Sequence, residues 1–185
     1  MSAAVVQHYR WRRQEFDHMI EAGIFHPEAR LELIDGEIFC MAPQSSLHAT
    51  AIRLVEEALR SVFVSTYDGR VQMPLAMDDN SEPEPDIAIV PGSPRDYRSA
   101  HPTTAVLVVE VADKSLTFDR DKKLKLYARN GIREYWILNL IEFRLELYRD
   151  PGYSVYQSQR CLQSGDSVTP LAGPDHSIKV SDLLP

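Results

Sequence analysis

Thr103 to Asp113, TTAVLVVEVAD, restricts the possible fold more than any other stretch of the chain. Successive side chains of a strand point to opposite faces, and from Ala105 to Val109 both faces are apolar. Such a run belongs in a sheet covered on both sides, which calls for helices packed against each face. Glu110 is then conspicuous. A carboxylate in so apolar a strand costs free energy unless a cation or hydrogen bonds compensate it.

Two further runs share this character, Ile87 to Val90 and REYWILNL from Arg133 to Leu140, and Val71 to Met77 reads as another strand. Between them Asp119 to Asn130 has helical spacing, with Leu124, Tyr127 and Ala128 inward and Gly131 at the C-cap position. The order strand, helix, strand predicts an α/β fold with a central sheet flanked by helices. Upstream, Phe16, Met19, Ile20 and Ile24 mark a helix within Trp11 to Ile24. In RLELIDGEIFCMAP, Asp35-Gly36 supplies the positive φ angles of a tight hairpin, which places Glu32, Ile34, Glu37 and Phe39 on one face. Behind the capping candidates Ser45 and Ser46, the residues His48, Ala51, Ile52, Val55 and Leu59 recur at helical spacing, so His48 falls in a first turn. FRLELYRDPGYSVYQ alternates on both sides of Asp150-Pro151-Gly152 and predicts a C-terminal hairpin, followed by a short element over Ile178 to Leu184. No repeat or linker divides the sequence, and one domain over residues 1–185 is expected.

A composition of 44% hydrophobic and 25% charged residues is that of a globule with a full core. The formal charge of −7 disfavours loose adsorption to nucleic acid or anionic membrane, while leaving room for a local basic groove. Cys40 and Cys161 lie far apart without metal-type spacing, so two reduced, mostly buried thiols are expected rather than a disulfide or zinc site. With no apolar-cored leader and no run long enough to span a bilayer, the expected compartment is the cytoplasm, with no membrane partner. GxxxxGK, GxGxxG after a strand, HExxH and GxSxG are missing, which removes the main support for nucleotide hydrolysis, dinucleotide redox, zincin and serine-hydrolase chemistry.

SEPEPDIAIVPG, Ser81 to Gly92, sets Asp86 at the mouth of a predicted strand, behind prolines that stiffen the entry. Asp86 thus opens one apolar strand and Glu110 lies near the end of another. Two converging carboxylates could hold Mg²⁺ or Mn²⁺, hard ions that take oxygen ligands and keep several waters. Such an ion activates water and stabilises a phosphoryl group under attack, and a nearby lysine would meet the developing negative charge.

EPDIAIV and LVVEVADKSLTFDRDKKLKLYARNGIREYWIL, in that order, resemble the Uma-type family of restriction-endonuclease-like proteins within the PD-(D/E)xK nuclease superfamily. LELIDGEIFCMAP and the following SSLH resemble the family's N-terminal part, so the likeness runs from Arg30 to Leu140. It implies a restriction-endonuclease-like core with a mixed sheet, extended by the N-terminal hairpin and the C-terminal β-hairpin, and a site for Mg²⁺ or Mn²⁺. Pro85-Asp86 stands at the PD and Glu110 at the first acid of (D/E)xK, with the backbone carbonyl of Val111 as a further metal ligand. Ala112 occupies the lysine position. The resemblance implies a substitute on the following helix, where Lys123 is the matching residue, ahead of Lys122 and Lys114. Glu32 and His48 fall at family-like positions and would complete the metal shell or act on the water.

Each of these residues also has a purely structural reading. Asp86 would be a turn acid, Glu110 a paired core carboxylate, Glu32 a hairpin surface residue and His48 a core histidine. Lys123 follows Asp119 by four residues, the favoured spacing of a surface ion pair. Arg120, Lys122, Lys125, Arg129 and Arg133 form either a phosphate-steering ridge or a solvated helix face, and Tyr127 and Trp136 belong to the core. Paired carboxylates also suit a glycosidase, but the migrated lysine and the strand-end placement favour phosphodiester chemistry. The expected function is a divalent-metal-dependent endonuclease acting on nucleic acid, DNA ahead of RNA. A homodimer would supply two sites for cutting both strands of a duplex. The rival, favoured by the acidic charge and by Ala112, is a noncatalytic nuclease-fold binding or regulatory protein.

Overall fold

The computed structural model describes residues 7–185. Helix α1 (Arg13–Glu21) leads into a hairpin of β1 (Leu31–Ile34) and β2 (Glu37–Cys40), and then into α2 (Ser46–Val62). Strands β3 (Tyr67–Val71), β4 (Ile87–Pro91) and β5 (Leu107–Ala112) follow. The chain next winds through α3 (Leu116–Phe118), a π-helical turn over Asp119–Lys123, and α4 (Leu124–Arg129). Strands β6 (Glu134–Asn139), β7 (Arg144–Pro151) and β8 (Tyr156–Leu162) complete the large sheet, and the short strands β9 (Ser167–Val168) and β10 (Ile178–Lys179) pair with each other.

The large sheet runs in the order β3-β4-β5-β6-β7-β8. β5 and β6 are parallel and the other neighbours antiparallel, which makes the sheet mixed, as expected. Every residue of β5 and β6 is buried, because each strand is covered on both faces. Leu107, Val109 and Val111 face the core that α2 closes with Val55 and Leu59, whereas Val108 and Ala112 face the core of Leu126, Tyr127 and Tyr135. Glu110 alternates with that second set, so its side chain points toward the π turn and α4.

The Asp35-Gly36 hairpin forms as expected, with φ of 54° and 75° at the two residues, and Glu32 pairs with Phe39 across it. Arg10 Cβ would stand 2.7 Å from a Cβ on Gly36, so glycine is required there on two counts. Ile34 enters the core on the α4 face and Phe39 meets Phe118 edge-on at 4.9 Å, which seats the hairpin against the helical stretch and brings Glu32 inward.

Several expectations need correction. No strand covers Val71 to Met77: β3 begins at Tyr67 and ends at Val71, because Gln72 takes a φ of 50° and breaks the extended run. Leu75, Ala76 and Met77 are nevertheless buried, which accounts for their strand-like apolarity. The helix expected over Asp119 to Asn130 begins three residues earlier, at Leu116, and contains the π turn. Cys40 and Cys161 are free, but both are exposed rather than buried. Among the described residues no helix is long and apolar enough to cross a membrane.

Candidate active site

Asp86 is fixed by backbone chemistry. Its carbonyl accepts from Gln72 N at 3.1 Å, and its amide points to Glu110 Oε2 at 3.4 Å. The ladder between β4 and β5 ends at the pair Ile87 and Val109, and beyond it the Asp86 carboxylate takes over, accepting from Val111 N at 2.9 Å. The other carboxylate oxygen accepts from Gln72 Nε2 at 3.1 Å and lies 3.3 Å from His48 Nε2. His48 sits in the first turn of α2, where its amide donates to the N-cap Ser45 at 3.2 Å. Because a strand residue directs N–H and C=O to the same side, the Val111 carbonyl lies on the Asp86 side of β5.

Glu110 is reached from the helical stretch. Lys123 Nζ donates to Glu110 Oε1 at 3.0 Å, and Tyr127 OH donates to the same oxygen at 2.7 Å. Lys123 is 1% exposed and also donates to Glu32 Oε1 at 3.0 Å, so it is no surface partner of Asp119. Asp119 turns inward too, accepting from Ser115 Oγ at 2.6 Å. Asp119, Lys123 and Tyr127 are spaced by four along one helical row that begins in the π turn, a distortion common at functional sites. Ala112, fully buried on the same strand face as Glu110, carries no amine, and Lys123 supplies one from the helix.

The electrostatics are unbalanced. Glu110, Glu32, Asp119 and Asp86 all bear on the single ammonium of Lys123. Burial would lower the Lys123 pKa, but these four acids outweigh it and hold the amine well above its usual range, so it stays charged. Burial pushes Glu110 well above the usual carboxylate range, with Lys123 opposing and the neighbouring acids adding to the rise. Burial likewise pushes Asp119 up to about 6. For Asp86 burial is outweighed by the hydrogen bond and charge of His48, the Val111 amide and Lys123, so its carboxyl lies below its ordinary value. Burial tends to lower His48, but Asp86 and Asp113 hold the imidazole above its usual pKa. Glu32 Oε2 is buried without a hydrogen-bond partner among the described residues.

These groups line a cavity of about 90 Å³, with Arg30 and Lys114 on its wall. Neither of those two cations lies within ion-pairing distance of an acid among the described residues. Of the predicted residues, Asp86, Glu110, Lys123, His48 and Glu32 all converge here. Gln72, Asp119 and Tyr127 were missed as site residues; the spacing of four through Asp119, Lys123 and Tyr127 is the signal that could have found two of them. Of the two readings of the basic row from Arg120 to Arg129, the ion pairs favour the solvated helix face over the phosphate-steering ridge. Arg120 pairs with Glu146, Lys122 with Glu37, Lys125 with Asp121, and Arg129 with Asp35 and Asp78.

Among the described residues no three His, Cys, Asp or Glu side chains form a ready-made metal cage. The available donors are the Asp86 and Glu110 carboxylates, the Val111 carbonyl and the orphaned Glu32 oxygen. An all-oxygen, incomplete set of this kind fits a hard ion that retains waters, and the excess of buried carboxylate favours a cation.

A family model named Uma2, described as "Putative restriction endonuclease", matches residues 13–181. No curated protein matches the chain. Among solved structures, one described as "a putative nuclease belonging to DUF820 from Anabaena variabilis ATCC 29413" is similar at 16% identity with a TM-score of 0.70. That likeness, which concerns the fold, covers 83% of this chain and 88% of the other.

Proposed function

The chain belongs to the Uma2 family, described as "Putative restriction endonuclease", and from this premise we propose that it is a divalent-metal-dependent endonuclease whose site is the acid cluster at the end of β5. The observation that carries the proposal is the meeting of Asp86, Glu110 and Lys123 in a pocket where carboxylates outnumber cations. Asp86 and Glu110 would hold Mg²⁺ or Mn²⁺ together with the Val111 carbonyl, and Glu32 would complete the shell. When bound, such an ion lowers the pKa of water and stabilises charge on the phosphoryl group.

The chain's own residues take distinct parts. Lys123, held above its usual pKa, keeps its proton at neutral pH and is therefore a donor rather than a general base. Its ammonium orients the attacking water or meets negative charge developing on the phosphoryl oxygens. Tyr127 and Lys123 together occupy Glu110 Oε1, which leaves Oε2 on the Asp86 side. His48 fixes one Asp86 oxygen and adds positive character at the head of α2. Arg30 and Lys114 offer approaching phosphates positive charge on an otherwise acidic protein. The substrate is nucleic acid, with DNA preferred, and a pair of copies would cut both strands of a duplex.

The test is Mn²⁺-dependent cleavage of single-stranded, duplex and branched DNA and RNA by wild type, Asp86→Ala and Lys123→Ala, prepared identically. Cleavage by wild type that is lost in Asp86→Ala supports the proposal, and the lysine variant reports on the migrated residue. Silence in all three, or equal cleavage by all three, would leave the noncatalytic binding protein as the better reading.

A further inference from the structure

A second, larger cavity adjoins the first. It has a volume of about 670 Å³, within the range of small-molecule sites. Glu84 lines both cavities, so the two share a wall. Glu82, on the wall of the larger one, is 6% exposed, and its carboxylate accepts no hydrogen bond among the described residues. Its paired cation, Arg13 Nη1, is 3.8 Å away, beyond hydrogen-bond reach. Arg13 Nε is itself buried without a partner among the described residues. The Glu82 carboxylate and the Arg13 guanidinium thus line one cavity with hydrogen-bonding capacity that no group among the described residues uses.

The rest of the wall limits what could satisfy them. Phe16, Leu31 and Pro74 form an apolar flank, and Tyr97 is held by its hydroxyl on the Pro91 carbonyl. Arg70 lies over the Tyr97 ring at 5.6 Å from its centroid and meets His101 Nδ1 at 3.3 Å, which steadies two wall residues at once. A fitting ligand must bring N–H donors to Glu82, an anionic group to Arg13 and the exposed Arg98, and an aromatic body to the apolar flank. A nucleotide with an amino-bearing base has all three. Glutamate accepting from the cytosine amino group is an established pairing, and stacking on aromatic walls is the common mode of holding unpaired bases.

We propose, on the footing of the nuclease reading, that this cavity receives an unpaired nucleotide of the substrate strand beside the scissile phosphate, with its base amino group on Glu82. The preferred substrate is then single-stranded nucleic acid or a duplex with an unpaired residue, and cytosine is favoured over thymine at that position.

Fluorescence anisotropy with labelled oligodeoxycytidine and oligothymidine octamers tests this in EDTA, where binding is read without cleavage. Wild type binds the cytidine octamer more tightly. Glu82→Ala weakens that binding about tenfold and removes the preference over thymidine. Glu82→Gln, which keeps the shape, loses most of the preference as well. Ser99→Trp, adding bulk on the cavity wall, weakens both octamers about tenfold. Cytidine monophosphate competes only weakly; competition as effective as the octamer's would assign the cavity to free nucleotides and overturn the strand assignment. Unchanged binding in all three variants, or no binding of single strands by wild type, overturns the proposal outright. Cleavage measured separately in Mn²⁺ decides the nuclease reading on its own, because a chain that cuts while its cavity variants bind normally retains the active site and loses only this inference.

Discussion

Two regions of the molecule bury carboxylates on the same sheet in opposite ways. Glu134, on β6, is fully buried and fully satisfied: Oε1 accepts from Arg149 Nε and Trp136 Nε1, each at 3.0 Å, and Oε2 from Leu171 N at 2.6 Å. Glu146, on β7, is similar, with Arg120, Asn139 and Tyr148 donating to it. At the end of β5, by contrast, four acids bear on one lysine, with His48 beside Asp86, and Glu32 Oε2 has no partner among the described residues. The first arrangement closes a structure, since every charge meets its complement within the chain. The second gathers more acids around its lysine than that ammonium can pair among the described residues, and such an excess of buried carboxylate favours a bound cation.

The sharpest way to break this comparison is to neutralise one member of each set. Asp86→Asn should lower cleavage by at least about 1,000-fold, roughly 4 kcal/mol of transition-state stabilisation, with a smaller loss of urea stability than Glu134→Ala shows. Glu134→Ala should do the reverse. It strands the Arg149 guanidinium, the buried Trp136 Nε1 and the Leu171 amide, at a cost of about 3 kcal/mol in stability by urea denaturation, with cleavage per folded molecule unchanged. If Glu134→Ala abolished cleavage without destabilising the fold, the division between the two regions would be false.

Lys123→Gln sharpens the contrast within the site. Cleavage should fall about 100-fold, the usual scale for losing one electrostatic donor. Mn²⁺ affinity measured by calorimetry should hold or rise, because a cation that competes for Glu110 has gone. A loss of Mn²⁺ affinity would make the lysine a support of the metal shell rather than a donor to the reaction.

The pH dependences of the two regions have opposite signs. Despite burial, the Arg120, Asn139 and Tyr148 hydrogen bonds hold Glu146 down at about 2 against an ordinary value of 4.5. Its contribution to stability is present above pH 4.5 and is lost as pH falls toward 2. Asp119 is raised from 3.8 to about 6, so its contribution is fully present below pH 3.8 and is lost as pH rises through 6. Stability profiles should therefore flatten on the acid side in Glu146→Gln and between pH 4 and 6 in Asp119→Asn. The same slope remaining in Asp119→Asn would show that another group carries it.

Much of this was legible in the sequence for a physical reason. An acid in a strand as apolar as AVLVVEV must be compensated, so Glu110 announced itself, and the prolines before Asp86 marked a fixed entry. Lys123 was harder. Its four-residue spacing from Asp119 is ambiguous, because the same spacing serves a surface pair and a buried row, and only the family likeness separated them. The π turn left no local signal. Tyr127 was legible as core, but its hydroxyl role depends on Glu110 arriving from a strand seventeen positions earlier in the chain. Gln72 was misplaced because its positive φ ends a run that composition alone continues as a strand. Periodicity reports which face is buried; it does not report which polar atoms meet there.

The most direct test of the central claim is a calorimetric Mn²⁺ titration at pH 8 of wild type, Asp86→Asn and Glu134→Gln. The excess of buried carboxylate at the end of β5 predicts saturable binding in wild type, its loss in Asp86→Asn, and its retention in Glu134→Gln. Absence of binding in wild type, or equal binding in all three, would contradict it.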